Sequence, residues 1–261
     1  VSDARVARAA AEAGAAVVRA RYGGTLVRHA KDGLDFATDA DVAAERAILD
    51  VLARERPGDL VVGEELGATG DRGATRRWLV DPLCGTLNFA TATPLVAVNV
   101  ALQVDGVTTA AAVVDPLAGE TWATDAPPTP SAASGLVDLN ADGPTDRPFV
   151  GAELAADPAF RRVFGPRVLS TTLALAWVAT GQRAGYVTDG APGTLHDSVH
   201  FAAGIALCRA AGCVVTDLHG GAVESGRGLL AAADERTHDA LVRLVAPALS
   251  TPRRTPDQPV A

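Results

Sequence analysis

Carboxylates gather in three short stretches of this chain. Thr38-Asp39-Ala40-Asp41 opens an amphipathic run, Gly63-Glu64-Glu65-Leu66-Gly67 follows a brief apolar one, and Asp81-Pro82-Leu83-Cys84-Gly85-Thr86-Leu87-Asn88-Phe89 follows another. Acidic groups at strand ends and in loops are placed to act on ligands rather than to pack. A hard divalent cation such as Mg²⁺ takes several oxygens, from one or two carboxylates, carbonyls, waters and substrate phosphate. Glu64 and Asp81 are spaced to bring carboxylates to one point, and Leu83 adds a backbone carbonyl. Gly85 and Thr86 follow with N–H groups at a helix start, a seat for phosphate. Thr86 and Asp41 can share a water aimed at phosphorus. Together these are the parts of a metal-assisted phosphomonoesterase. Each cluster also has a plainer reading: Thr38 with Asp41 makes a capping box, Gly-Glu-Glu a solvated turn, Asp-Pro a turn opener. Their joint occurrence favours the catalytic one.

The surrounding pattern supplies the elements that must hold these groups. Apolar residues at helical spacing predict helices over Asp3–Arg21 and Asp41–Arg54, the first ended by Gly23-Gly24. Leu60–Val62 and Trp78–Val80 read as buried strands ending at Glu64 and Asp81. Leu95–Val104 and Val107–Val114 read as a hairpin turning at Asp105-Gly106. The stretch Pro127–Pro148, dense in Pro, Ser, Gly and Asp, reads as a surface loop and junction. Beyond it come strands at Phe149-Val150, Val168-Leu169 and Val214–Thr216, and helices over Thr172–Thr180, Val199–Ala211 and His238–Val245. This predicts an N-terminal α+β half over residues 1–125 carrying the motifs, a loop over 126–147, a C-terminal α/β half over 148–250 completing the site, and a frayed tail over 251–261. Helices and strands mix without strict alternation, so the fold class is α/β in stacked α+β layers rather than a doubly wound parallel sheet.

Composition narrows the function. The 261 residues suffice for one large domain or two modest ones, and 48% hydrophobic with 21% charged residues is a globular balance. Aromatics at 4% leave the core to Ala, Val and Leu. The net charge of −8 argues against nucleic-acid binding, though a bound cation can still recruit a small anion. No apolar run has membrane-spanning length and the first residues lack a signal-peptide layout, so a cytoplasmic protein is expected. Three scattered cysteines predict no disulfide scaffold.

With these residues in view, the chain resembles the inositol monophosphatase superfamily. Lys31–Glu45 is similar to the family's early lysine and Thr-x-x-Asp segment, Gly63-Glu64-Glu65 to its Gly-Glu-Glu, and Trp78–Phe89 to its signature Trp-Val-Val-Asp-Pro-Leu-Asp-Gly-Thr-Thr-Asn-Phe. Thr171–Tyr186 resembles its Val-Ala-x-Gly helix, and Phe201–Gly221 its late Ala-Ala-Gly to Val-Thr-Asp segment. The resemblance implies an αβαβα sandwich, a homodimer, and a small phosphorylated metabolite as substrate: a polyol, sugar, nucleotide or amino-alcohol phosphate. By the same resemblance Glu64, Asp81, the Leu83 carbonyl and Thr86 bind a first Mg²⁺, with Glu65 beside them. Asp41 pairs with Thr86 to orient water, Gly85 and Thr86 cradle phosphate, and Lys31 approaches from a hairpin.

Two departures mark this chain. Cys84 replaces the signature's second aspartate, and His200 stands where the family has an aspartate before Ala-Ala-Gly. Both belong to the family's second metal position. Zn²⁺, Fe²⁺ or another transition metal accepts thiolate and imidazole where Mg²⁺ does not. His196 and His200, four residues apart, share a face if both lie on one helix. Asp197 is a possible substitute for the lost aspartate. The expected activity is metal-dependent phosphomonoester hydrolysis. The alternatives are a non-hydrolytic phosphate-ester binder, or an enzyme using Cys84 and His200 with a softer metal or as acid and base.

Overall fold

The computed structural model describes residues 1–25, 27–30, 36–140, 149–189 and 195–250. In chain order its elements begin with α1 (Asp3–Arg21), β1 (Arg28–Ala30), β2 (Phe36–Thr38), α2 (Asp39–Glu55), β3 (Leu60–Gly63) and β4 (Ala68–Thr69). They continue with β5 (Arg76–Cys84), α3 (Thr86–Ala90), β6 (Ala97–Val104), β7 (Val107–Asp115), β8 (Glu120–Ala123) and β9 (Leu136–Asn140). The remainder are α4 (Val150–Ala156), α5 (Pro158–Val163), β10 (Gly165–Leu169), α6 (Leu173–Ala179), β11 (Gly185–Thr188), α7 (Ala202–Ala211), β12 (Val214–Thr216), β13 (Leu229–Ala232) and α8 (Glu235–Ser250). The fold is mixed α/β, with a six-stranded sheet, a five-stranded sheet and the small β1–β2 pair. Among the described residues no helix is long and apolar enough to cross a membrane.

The chain divides into two compact units. The first comprises residues 1–128 with 171–176 and 197–211, and the second takes the rest. The later half of the sequence therefore returns twice to the first unit. This interleaving is not visible in contiguous boundaries such as 1–125 and 148–250.

In the first unit the sheet order is β4-β3-β5-β6-β7-β8. Side chains alternate between faces of a strand. Val98, Val100 and Leu102 of β6 accordingly join one core with Trp78, Val80 and the small residues of α1 and α2. The chain's alanine content serves this interface. A Cβ on Gly14 of α1 would sit 2.7 Å from Ile48 Cδ1 on α2, so the helix presents its smallest residues where the approach is tightest. The opposite face of β6 and β7 is covered by α7. The expected hairpin forms with a two-residue turn, Asp105 (φ 49°) and Gly106 (φ 79°), both left-handed as such turns require.

In the second unit the order is β10-β9-β11-β13-β12, with Val137, Leu139, Val187 and Leu230 packed against Leu154, Phe160, Leu241 and Val245. Two expectations are corrected here. The stretch 126–147 is not loop throughout, because Leu136–Asn140 forms β9 between β10 and β11. Flanking Pro, Ser and Gly hide a strand of only five residues. Phe149-Val150 is not a strand but the start of α4. Val150, Gly151 and Leu154 have helical spacing and are buried, and a two-residue apolar run cannot tell the two apart. Among the longer helices, α7 starts at Ala202 rather than Val199, and α8 is longer than predicted at both ends.

Candidate functional site

The site groups lie in the first unit and begin with the cap of α2. Thr38 is its N-cap and Asp41 its third residue, and the reciprocal capping-box bonds both form. Thr38 N–H donates to Asp41 Oδ2 at 2.8 Å, and the Thr38 hydroxyl donates to the same oxygen. That leaves Oδ1, which accepts from the Thr86 hydroxyl at 2.9 Å. The capping and the catalytic readings of Asp41 are therefore compatible, one on each carboxylate oxygen. Asp41 is fully buried. Burial pushes its carboxyl above the ordinary range, against the hydrogen bonds from Thr38 and Thr86.

The signature is carried by β5, which runs through Asp81 to Cys84 instead of stopping at Val80. Its pairing with β6 shifts register between Asp81 and Cys84. A bulge of this kind re-aims side chains. Asp81 is fully buried, and its Oδ1 accepts from Leu83 N–H at 3.1 Å. The Leu83 carbonyl lies 3.2 Å from Thr86 Oγ1, so one residue's backbone joins the Asp81 carboxylate to the Asp41–Thr86 pair. Gly85 follows as the N-cap of α3 with φ 94°, and a Cβ there would stand 2.7 Å from the Leu95 carbonyl. Glycine is thus required on two grounds. Thr86 opens α3, where N–H groups have no intrahelical acceptor.

Glu64 emerges from the end of β3, beside β5, with its N–H donating to the Val80 carbonyl at 3.2 Å. His200 reaches the same point from the turn before α7. Its Nδ1 lies 2.8 Å from Asp81 Oδ2 and 3.8 Å from Glu64 Oε2. One ligand atom from each of Glu64, Asp81 and His200 falls within 4.8 Å of the others. The donors suit a divalent cation: two hard carboxylate oxygens and one borderline imidazole nitrogen. The local field is negative. The carboxylates of Asp81 and Glu64 both help raise the neighbouring Cys84 thiol, and that of Asp81 helps raise Glu45.

The remaining sequence candidates are outside this three-residue group. Cys84 Sγ is outside the three-residue group and accepts from Thr172 N–H at 3.4 Å. Burial, then the Asp81 charge, holds this thiol well above its ordinary value. Asp197 is outside that group as well, with its carboxylate 2.6 Å from the Arg77 guanidinium. His196 lies in the 3₁₀ turn Leu195–Asp197 and His200 in a separate turn, so they do not share a helical face. Glu65 contributes its backbone N–H, which donates to Glu45. Lys31 lies outside the described residues.

Two residues of the site were not among the sequence candidates. Glu45, one helical turn beyond Asp41, is fully buried and accepts from Glu65 and Leu66 N–H. Its i, i+4 spacing from Asp41 is a signal that could have found it. Asn99 lies opposite Asp81 in the β5–β6 register and donates to the Thr172 hydroxyl at 2.8 Å. A polar residue in the apolar run Ala97-Val98-Asn99-Val100-Ala101 is its signature.

The profile described as "Inositol monophosphatase family" matches residues 2–127 and 142–250. The chain belongs to the inositol monophosphatase family. An inositol-1-monophosphatase of Mycobacterium leprae is 42% identical over 118 residues, covering 44% of this chain and 38% of that protein. The protein named Nus factor SuhB in Escherichia coli K12 is 31% identical over 209 residues, 73% of this chain and 75% of that one. The crystal structure of extragenic suppressor protein suhB from Bartonella henselae superposes with a TM-score of 0.79 at 27% identity, covering 92% of this chain and 97% of that one. The curated relatives with the strongest matches are matched over about 40% of their own length. In this inositol monophosphatase family member Glu64, Asp81 and His200 form a group that could hold a metal ion.

The geometry separates the two departures by experiment. His200→Ala is expected to weaken metal retention at least about tenfold, whereas Cys84→Ala leaves it unchanged. Elemental mass spectrometry of dialysed protein checks both. Equal loss in both variants would place the thiol in the metal's coordination sphere.

Proposed function

We propose that this family member is a metal-dependent phosphomonoester hydrolase acting on a small phosphorylated polyol, sugar, nucleotide or amino alcohol. The observation that carries the reading is the Thr86 hydroxyl, held between Asp41 Oδ1 and the Leu83 carbonyl, with Leu83 N–H on Asp81. A hydroxyl fixed by its donated proton presents its lone pairs in a set direction, so Thr86 orients a water beside Asp41. Asp41 takes that water's proton as the oxygen attacks phosphorus opposite the leaving group. Its raised affinity for a proton suits that task. The N–H groups of Gly85 and Thr86 face the phosphoryl oxygens and stabilise the charge that accumulates on them. A divalent cation on Glu64, Asp81 and His200, when bound, supplies positive charge to those oxygens and acidifies water.

The donor set favours Mn²⁺, Fe²⁺, Co²⁺ or Zn²⁺ alongside Mg²⁺, because His200 contributes a nitrogen where an all-oxygen site would favour Mg²⁺ alone. The deciding experiment is phosphate release from a panel of phosphomonoesters with each of these metals in turn. Turnover that needs added metal and is faster with a transition metal than with Mg²⁺ is the expected result. Binding of an ester without hydrolysis under every metal would replace the proposal with the non-hydrolytic binder.

A further inference from the structure

We propose that Glu45 is a positioning residue for the candidate metal centre: its carboxylate holds the turn at Glu64, Glu65 and Leu66, and so sets where Glu64 meets Asp81 and His200. The inference rests on the reading of Glu64, Asp81 and His200 as a metal centre. Asp41 and Glu45 are one turn apart on α2 and are both fully buried, so a single rigid helix faces both halves of the site. Asp41 addresses the Thr86 hydroxyl, and Glu45 addresses the turn after β3. Glu45 Oε2 accepts from Glu65 N–H at 2.8 Å and Oε1 from Leu66 N–H at 2.9 Å. These are two charge-assisted bonds converging on one carboxylate. They grip the two residues directly after Glu64, whose own N–H is tied to Val80 on β5.

Gly63 is shaped to this contact. Its φ is unexceptional, yet a Cβ at that position would fall onto the Glu45 carboxylate. The absence of a side chain therefore lets β3 end against Glu45. Burial pushes the Glu45 carboxyl above its ordinary value, and the charges of Glu65 and Asp81 push the same way. A residue serving stability alone is poorly chosen here, because an apolar side chain would avoid that desolvation. A residue that must receive two N–H groups at fixed points is well chosen.

Glu45→Gln tests the assignment. The amide offers one carbonyl to two N–H groups and turns its own NH₂ against the other, so the turn loosens with little change in volume. Titration with Mn²⁺, followed by calorimetry and by electron paramagnetic resonance of the bound ion, is compared with the thermal midpoint of the metal-free protein. Mn²⁺ binding is expected to weaken about 10- to 100-fold, the range for residues supporting metal ligands. The resonance should broaden as the Glu64 position becomes heterogeneous. Gly63→Ala displaces the Glu45 carboxylate without altering Glu45. It is expected to weaken Mn²⁺ in the same way, and it serves as the test if Glu45→Gln does not fold. A folded variant of either kind that binds Mn²⁺ as the unmodified protein does, with only its thermal midpoint lowered, overturns the positioning role. An unmodified protein that binds no Mn²⁺ overturns the metal centre itself, a failure visible before any variant is made.

Discussion

Asp41→Asn is expected to lower kcat for phosphomonoester hydrolysis by roughly 10²- to 10⁴-fold with little change in KM. Three donors converge on the Asp41 carboxylate: the Thr38 N–H, the Thr38 hydroxyl and the Thr86 hydroxyl. An N–H cannot reverse, so the asparagine carbonyl must take the Thr38 backbone bond to keep the helix capped. Its NH₂ then faces Thr86 Oγ1, which becomes an acceptor and turns its proton away. The variant loses the base and inverts the hydroxyl that orients water, while the cap survives. The stability cost should therefore stay near 1 kcal/mol, as for a weakened helix cap. Thr86→Ala should cause a comparable kinetic loss. The double variant should be little worse than either single one, since the two groups act on one water. The pH profile adds an independent check. Asp41 works ionised and its carboxyl is raised by burial, so the rate should fall as pH drops through that raised value. Asp41→Asn should abolish this acid limb. Single variants that keep their turnover would remove Asp41 from the reaction.

The second large effect lies in the second unit and concerns stability. Asp138 on β9 is fully buried, and its Oδ1 accepts from Arg183 Nε at 2.7 Å. The Arg183 guanidinium lies 4.7 Å from the Trp177 ring centroid, so its charge is shared with the aromatic face. Among the described residues Asp138 Oδ2 is buried without a hydrogen-bond partner. Burial outweighs the Arg183 charge and pushes the carboxyl up to about 6. In the unfolded chain an aspartate titrates near 3.9, so the native state holds a proton that the unfolded state has released between roughly pH 4 and 6. The sign follows from this difference. Stability from this group is fully present below about pH 4 and is lost as pH rises through about 6, by on the order of 3 kcal/mol.

Asp41 and Glu45 are raised as well, and Asp217, lowered to about 2, acts in the opposite sense at lower pH. The informative quantity is therefore the difference between the protein and Asp138→Asn. Urea unfolding near pH 5, where about half of that stabilisation remains, and near pH 7.5, where it is gone, should show that difference moving by about 1.4 kcal/mol in the variant's favour at the higher pH. A difference that does not move with pH would mean that the Arg183 pair compensates the burial of Asp138.

These effects divide along a physical line between local and long-range contacts. The local placements of Asp41 and Thr86 were legible because a capping box closes over three residues and a strand–glycine–helix turn over few more. Short-range geometry follows from residue order, whatever the chain does elsewhere. The Asp105-Gly106 hairpin was legible for the same reason. Glu64 and Asp81 were legible as carboxylates at the ends of apolar runs, although the extension of β5 through Cys84 was not.

Packing alone decided which groups meet. His200 and Asp81 are 119 positions apart, and nothing in either segment states that the imidazole faces that carboxylate. Cys84 and Asp197 are near the motifs in sequence, yet Thr172 holds the first and Arg77 the second. Glu45 is a helical glutamate like others until β3 is laid against it. A hydrogen bond or ion pair between distant segments depends on the register of strands and the seating of helices, which whole-chain burial selects. Residue order determined the chemical groups this protein carries, and tertiary packing determined which of them share a site.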